Sequence, residues 1–451
     1  MNDHMSRQAA IVLMGAISVL GLRIPASAQR QTPAPLVVRC GTLIHPHSHQ
    51  VQKNVAIQTV NGKIIRVAPV SEVTPPEGAQ VLDFSGKFVM PGLVDLHAHT
   101  YTRVSGDWTT SNEAVPAFLL AAGVTTARAP GSMNPGADLA MRNRINAQLM
   151  TGPRYYFAGE YLDLAPPLFN WFNAGTGADD FRMKIDYWSA QGATAVKLYT
   201  RMSGDALRAV IAHAHNHGLK VIAHLGATGW KDAMEAGVDE LCHGLGAFPE
   251  AGLKEKFEGL DQLDLKEPRY AAILRLAASL KVVLVPTAMN LLNITPDRSP
   301  ENRRYYTEAA WKALEFMESE KAWGIPEKYA LAEKEFIRMA HAAGCLLGTG
   351  TDLVLPWMPP GISLWREAEI FAEAGLPPMD VLDAATWNGI YSIGATDQLG
   401  TIEPGKLADF VVLDANPLDD IRNLRRVHRV VKSGTVYDPR QILSRLRGRL
   451  N

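Results

Sequence analysis

From Leu93 onward the chain repeats one pattern eight times: a short apolar, β-rich run, a polar loop, then a helical run. The candidate strands are Leu93 to His99, Val124 to Ala129, Arg154 to Gly159, Ala195 to Thr200, Lys220 to Leu225, Glu240 to Leu245, Val282 to Thr287 and Leu346 to Asp352. Segments between them, such as Asp205 to His215 and Trp230 to Ala236, read as helices. Eight strands alternating with helices over about 260 residues predict an α/β fold, a (β/α)8 TIM barrel whose working groups gather at the C-terminal strand ends. An open doubly wound sheet is the alternative, but no Gly-x-Gly-x-x-Gly fingerprint follows any strand.

Short β-rich runs flank the repeats: Leu36 to Ile44, Val55 to Thr59, Lys63 to Val67 and Ala79 to Asp83 before them, Asp409 to Leu413 and Val427 to Tyr437 after them. The two ends are expected to build one small β-sandwich from residues 29–90 and 396–443, leaving 91–395 for the barrel. Ahead of this lie Arg7, an apolar run from Ala9 to Leu22 and the small-x-small ending Ala26-Ser-Ala28, the layout of a cleaved signal peptide. Residues 1–28 are therefore expected to be removed, giving a periplasmic or secreted protein. The run is short for a membrane span, although an uncleaved anchor is the competing reading. A net charge of −1 supplies no basic field for nucleic acid and points to a small-molecule substrate. The three cysteines, Cys40, Cys242 and Cys345, lie in or beside apolar runs and read as small buried hydrophobes; a homo-oligomer is expected.

Polar residues interrupt the apolar runs near one end. His97 and His99 come from the first strand, Lys197 from the fourth, His224 from the fifth, His243 from the sixth and Asp352 from the eighth. Alone, a His-x-His pair reads equally well as two hydrogen-bonded core histidines. Gathered at one barrel mouth, four imidazoles and a carboxylate suit zinc or a similar divalent ion. A desolvated lysine loses its proton more readily, and the neutral amine can capture carbon dioxide as a carbamate, a carboxylate on a long arm. The structural alternative for Lys197 is an ion pair with a nearby acid.

Several of these runs together resemble the amidohydrolase superfamily, over essentially all of the chain after residue 28: Val89-Met-Pro-Gly-Leu-Val-Asp-Leu-His-Ala-His99, Gly218 to His224, Ala236 to His243, Leu347 to Asp352, Ala385 to Ile390 and Leu399 to Leu413. Within it the chain is most similar to imidazolonepropionase-like and prolidase-like members. The resemblance implies two divalent metal ions, with Zn2+ the expected metal: one held by His97, His99 and Asp352, the other by His224 and His243, bridged by carboxylated Lys197. It departs from relatives at Ala127-Arg-Ala-Pro-Gly131, where they often carry Arg-Asp-x-Gly, and at Leu225-Gly-Ala, which lacks a second strand-five histidine. Substrate class is thereby left open.

The expected activity is hydrolysis of an amide C–N bond in a dipeptide or N-acyl amino acid by a shared hydroxide, with Asp352 as the catalytic proton carrier. The same centre suits a lactone, ester, carbamate or phosphotriester; a mononuclear deaminase and a non-catalytic binding barrel are further alternatives. Tyr199 and Arg128 are candidate substrate contacts, as are Phe169 and Trp171 on the apolar Tyr161 to Phe172 loop. Three motifs read as decoys. His213, His215 and His217 belong to a solvated helix end, His45-Pro-His-Ser-His49 to an exposed turn, and Gly400 to Lys406 to a turn that lacks the Ser or Thr of a phosphate loop.

Overall fold

The structure is a computed structural model, and it describes residues 33–101, 103–104, 107–108, 112–166, 174–254, 257–292, 299–319, 325–353 and 358–450. The expected signal segment 1–28 and the loop residues Phe169 and Trp171 lie outside the described residues.

Four strands come first: β1 (Leu36–His45), β2 (Gln50–Val60), β3 (Lys63–Pro69) and β4 (Gln80–Pro91). The β2–β3 hairpin turns on Asn61 and Gly62, at φ 51° and 76°, the doubly left-handed turn that an Asn-Gly pair favours. Next come β5 (Leu93–Asp95), the small hairpin of β6 (Arg103–Val104) and β7 (Asp107–Trp108), β8 (Val124–Ala129), β9 (Arg154–Phe157) and β10 (Tyr161–Leu162). The series continues through β11 (Ala195–Leu198), β12 (Lys220–Ala223), β13 (Glu240–Cys242), β14 (Val283–Val285) and β15 (Leu346–Leu347). At the other end β16 (Phe410–Leu413), β17 (Val427–Lys432) and β18 (Thr435–Tyr437) return beside β4.

The middle of the chain is a TIM-barrel-like α/β domain. Parallel strands run in the orders β5-β8-β9 and β11-β12-β13-β14-β15, the latter sheet edged by β10. Backbone bonds link the two sets at both junctions: Thr194 N–H donates to the Phe157 carbonyl at 3.1 Å, and Leu96 N–H to Thr349 at 3.0 Å. Strand side chains alternate as the pleat requires. Val196, Leu198, Val221, Ala223, Leu241 and Leu284 join the main core, whereas Ala195, Ile222 and Cys242 pack together in a separate small cluster.

Strands from the two chain ends lie in a single seven-stranded sheet in the order β18-β17-β16-β4-β1-β2-β3. The strands themselves are mostly shorter than their apolar runs. Only Val124–Ala129 matches its expected limits; the other seven stop two to five residues earlier at the C-terminal end. The residues left over include His97, His99, His224, His243 and Asp352. Among the described residues no helix is long and apolar enough to cross a membrane.

Candidate metal centre

His97 and His99 stand just past the end of β5, with rings 5.1 Å apart and exposures of 2% and 6%. Their backbone still alternates between neighbours, because Leu96 N–H bonds to Thr349 and Ala98 N–H to Arg128. This keeps residues 97 and 99 on one side. Asp352 arrives on the loop after β15, tied by its N–H to the His97 carbonyl at 2.8 Å. Its Oδ1 lies 3.1 Å from His99 Nε2 and 3.5 Å from His97 Nε2. Two imidazole nitrogens and one carboxylate oxygen thus face a common point, while both buried Nδ1 atoms have no hydrogen-bond partner among the described residues.

His243 should point away from this point by strict alternation, since Glu240 and Cys242 occupy the inner face of β13 and Leu241 the outer. It reaches the mouth because its backbone is left-handed, φ 73° and ψ 21°. Its ring then lies 4.7 Å from His97 and 4.3 Å from His224, with Nδ1 3.7 Å from Asp352 Oδ2. Lys197, 1% exposed, projects from β11 and donates to Cys242 Sγ at 3.2 Å. Among the described residues it makes no ion pair with a carboxylate. All six predicted ligands are therefore brought together around one mouth.

Burial holds three of the imidazoles in the neutral form. Burial, then Lys197, holds His97 well below the ordinary imidazole range; the same two causes bring His224 down to about 3. His243 is also held well below, by burial and then by His224. Neutral imidazoles with free lone pairs are the form that ligates a divalent ion. The donor set of four histidines and an aspartate fits such an ion, with the Nε2 atoms of His97 and His99 on the side of Asp352.

Of the substrate contacts expected from sequence, Tyr199 is at the mouth, its ring 4.6 Å from His224 and 5.2 Å from Tyr161. Arg128 is not, and its assignment is corrected. Its guanidinium is 1% exposed beneath the histidines, bonded to Glu240 Oε1 at 2.5 Å, to the Leu96 carbonyl and to Ser392. A buried cation needs a buried anion, and Glu240 on the adjoining inner face provides it. Cys242 is likewise more than a buried hydrophobe: its thiol, pushed up to about 12 by burial, is the hydrogen-bond partner of Lys197.

Sequence reading missed four further contacts. Thr287 Oγ1 meets His243 Nδ1 at 2.9 Å, and Asn290 donates to Asp352 Oδ2 at 3.0 Å. Both follow the apolar run of β14, the same signal that marked the other strand ends. The Tyr101 and Tyr161 hydroxyls pair at 2.6 Å, with the Tyr101 ring 4.7 Å from His99. Gly131 is needed for this packing, because a Cβ there would lie 2.8 Å from Tyr161 and 2.9 Å from Lys197 Cγ.

The decoys fall outside the mouth. His213 and His217 both approach Asp186 Oδ1 on the surface, at 2.6 and 2.9 Å. The His45–His49 turn is more engaged than expected, with His47 stacked on Trp387 at 3.7 Å and His49 3.0 Å from Asp380.

Comparison with known proteins agrees with this architecture. The chain is 25% identical over 391 residues to an imidazolonepropionase of Pseudomonas savastanoi pv. phaseolicola (strain 1448A / Race 6), covering 81% of this chain and 89% of that one. A solved putative prolidase from Bifidobacterium longum superposes with a TM-score of 0.67 at 26% identity, over 91% of this chain and 98% of that one. A local match at 31% identity to an adenine deaminase of Paracoccus denitrificans (strain Pd 1222) spans 77 residues, 17% of this chain and only 13% of that protein. The model of the Amidohydrolase family matches residues 88–437, from the end of β4 to the end of β18, and the chain belongs to that family.

Proposed function

We propose that the protein is a metal-dependent hydrolase that cleaves an amide C–N bond, of the dipeptide or N-acyl amino acid type, in a (β/α)8 barrel flanked by a sandwich built from both chain ends. The observation that carries this reading is the convergence of buried His97 and His99 with half-buried Asp352 on one point, with Lys197, His224 and His243 beside them. Support for the C–N bond comes from the names of the two relatives aligned over most of the chain, a putative prolidase and an imidazolonepropionase.

His97, His99 and Asp352 would hold one divalent ion and His224 and His243 a second, with Zn2+ the best match to this donor set. When bound, such ions supply Lewis acidity, polarising a carbonyl and acidifying water. Lys197, as a carbamate, would be a further oxygen ligand to them in this reading. Its hydrogen-bond partner is the Cys242 thiol and, among the described residues, no carboxylate pairs with it, which supports this reading over a structural ion pair. Asp352 accepts the proton of the attacking water and passes it to the leaving nitrogen. Asn290 fixes its Oδ2 meanwhile, leaving Oδ1 toward the histidines. Tyr199, with the Tyr101–Tyr161 hydroxyl pair, lines the same wall and offers donors to a substrate oxygen.

The test is to assay metal-loaded protein against dipeptides, N-acyl amino acids, lactones and phosphotriesters. Turnover of the first two classes is expected; turnover of phosphotriesters alone would sink the amide reading. We also read residues 1–28 as removed on export to the periplasm or medium, with Gln29 as the expected new N-terminus. The expected homo-oligomer is to be checked by sedimentation.

A further inference from the structure

Three fully buried carboxyls take no part in that chemistry, and each grips backbone N–H groups of the strand-end segments that carry the metal-centre groups, Asp95 holding two such segments and each glutamate one. Asp95 Oδ1 accepts the N–H groups of His97 and Thr351, both at 3.1 Å, and its Oδ2 accepts the Thr351 hydroxyl at 2.9 Å. Glu333, reaching in from helix Glu327–Ala342, accepts Leu245 N–H at 3.0 Å and the Tyr329 hydroxyl at 3.2 Å, both on Oε2. Glu367, on helix Ile362–Glu373, accepts Ala288 N–H on Oε1 at 3.1 Å and Met289 N–H on Oε2 at 2.6 Å. All three are at most 1% exposed.

The gripped loops share a second feature. Each contains a non-glycine residue in the left-handed region immediately before or within two residues of the gripped N–H: Asp352 at φ 46°, His243 at φ 73° and Thr287 at φ 50°. Such residues persist only where their surroundings over-determine them. Two of the three are ligands in the proposed site, and the third is the hydrogen-bond partner of His243 Nδ1. The Glu367 turn also carries Asn290, which holds Asp352. Gly244 is pressed onto Glu333, since a Cβ there would fall 1.9 Å from Oε1.

We infer that Glu333 and Glu367, together with Asp95, are positioning residues that hold His243, Thr287 and Asp352 in their left-handed, metal-facing conformations from behind. This rests on the metal-centre reading and adds residues to it. The fold bears the desolvation of all three carboxyls, which are at most 1% exposed. A group that merely filled the core would be apolar.

Hydrogen-bond arithmetic gives the test. Glu333 accepts both of its bonds on one oxygen, so the single carbonyl of a glutamine can replace it. Glu367 uses both oxygens, so glutamine loses one amide grip. The full chain and its Glu333→Ala, Glu333→Gln, Glu367→Ala and Glu367→Gln variants are titrated with cobalt(II) alone, reading the visible ligand-field spectrum and the apparent affinity. Loss of outer contacts of this kind weakens metal affinity by about 10- to 100-fold. That loss, with a changed spectrum, is expected for both alanine variants and for Glu367→Gln, and parent-like behaviour for Glu333→Gln. Should the alanine variants fail to fold, the two glutamine variants decide. Equal and parent-like behaviour of Glu367→Gln and Glu333→Gln overturns the inference alone. A parent chain that takes up no cobalt overturns the metal reading and this inference with it.

Discussion

The Arg128–Glu240 pair offers a sharp energetic test, because both side chains are essentially unexposed and the partners are countable. Glu240 accepts from Arg128 Nη2 at 2.5 Å and from the Ser392 hydroxyl; Arg128 also donates twice to the Leu96 carbonyl and once to Ser392. Glu240→Ala strands a buried guanidinium with only neutral acceptors. Breaking one side of a buried pair costs about 3–5 kcal/mol. With a urea slope of about 4 kcal/mol per molar, above the small-protein range as chain size demands, the midpoint should fall by about 1 M. Removing both charges together, in Arg128→Ala with Glu240→Ala, leaves no stranded ion. The double variant should therefore be more stable than the sum of the singles predicts, by roughly 2–3 kcal/mol in a double-mutant cycle. Urea unfolding followed by circular dichroism gives all four corners. Additive behaviour, or a Glu240→Ala cost under about 1 kcal/mol, would refute the account of Arg128 as a structural cation.

Three further outcomes are expected. Asp352→Asn should lower kcat by about 10²- to 10⁴-fold, since an amide cannot carry the proton; steady-state kinetics at saturating metal would expose a smaller effect. Gly350→Ala places a Cβ 2.8 Å from His97 Cβ and 2.6 Å from Val285 Cγ1, so metal affinity, read by titration with a chromophoric chelator, should drop at least about tenfold. Lys432, bonded to the Gly152 carbonyl, is brought down to about 8 chiefly by burial. Between about pH 8 and 10.5 the unfolded chain keeps a proton there that the folded chain has lost, so stability gains from this group as pH rises through that window. The gain is at most about 3 kcal/mol, and Lys432→Met should remove it from the pH dependence of the urea midpoint relative to the parent.

The fold was legible because alternation survives in sequence: outward Val196 and Leu198 flank inward Lys197, and the same period runs through β12 and β13. The ligand identities were legible because a polar residue at the end of an apolar run has few structural uses. Arg128 obeyed that signal and misled, since its anion, Glu240, is 112 positions away and no local pattern joins them. Thr287 and Asn290 went unread for a related reason. They touch other residues of the site and carry no charge or imidazole of their own to attract notice.

What sequence could not supply is conformation at the strand tips. Counting by twos along Glu240-Leu-Cys-His243 puts Cys242 inward and His243 outward, yet both are at the mouth. The contradiction resolves only with a left-handed backbone at His243, which places two successive side chains on the same side. That conformation is disfavoured locally and invisible to propensity, so its cause must lie elsewhere in the chain. Glu333, ninety positions later by number and one hydrogen bond away from Leu245, is placed to be that cause. A strand-tip ligand that violates alternation therefore implies a distant buried acceptor, and the same logic joins Thr287 to Glu367 and Asp352 to Asp95.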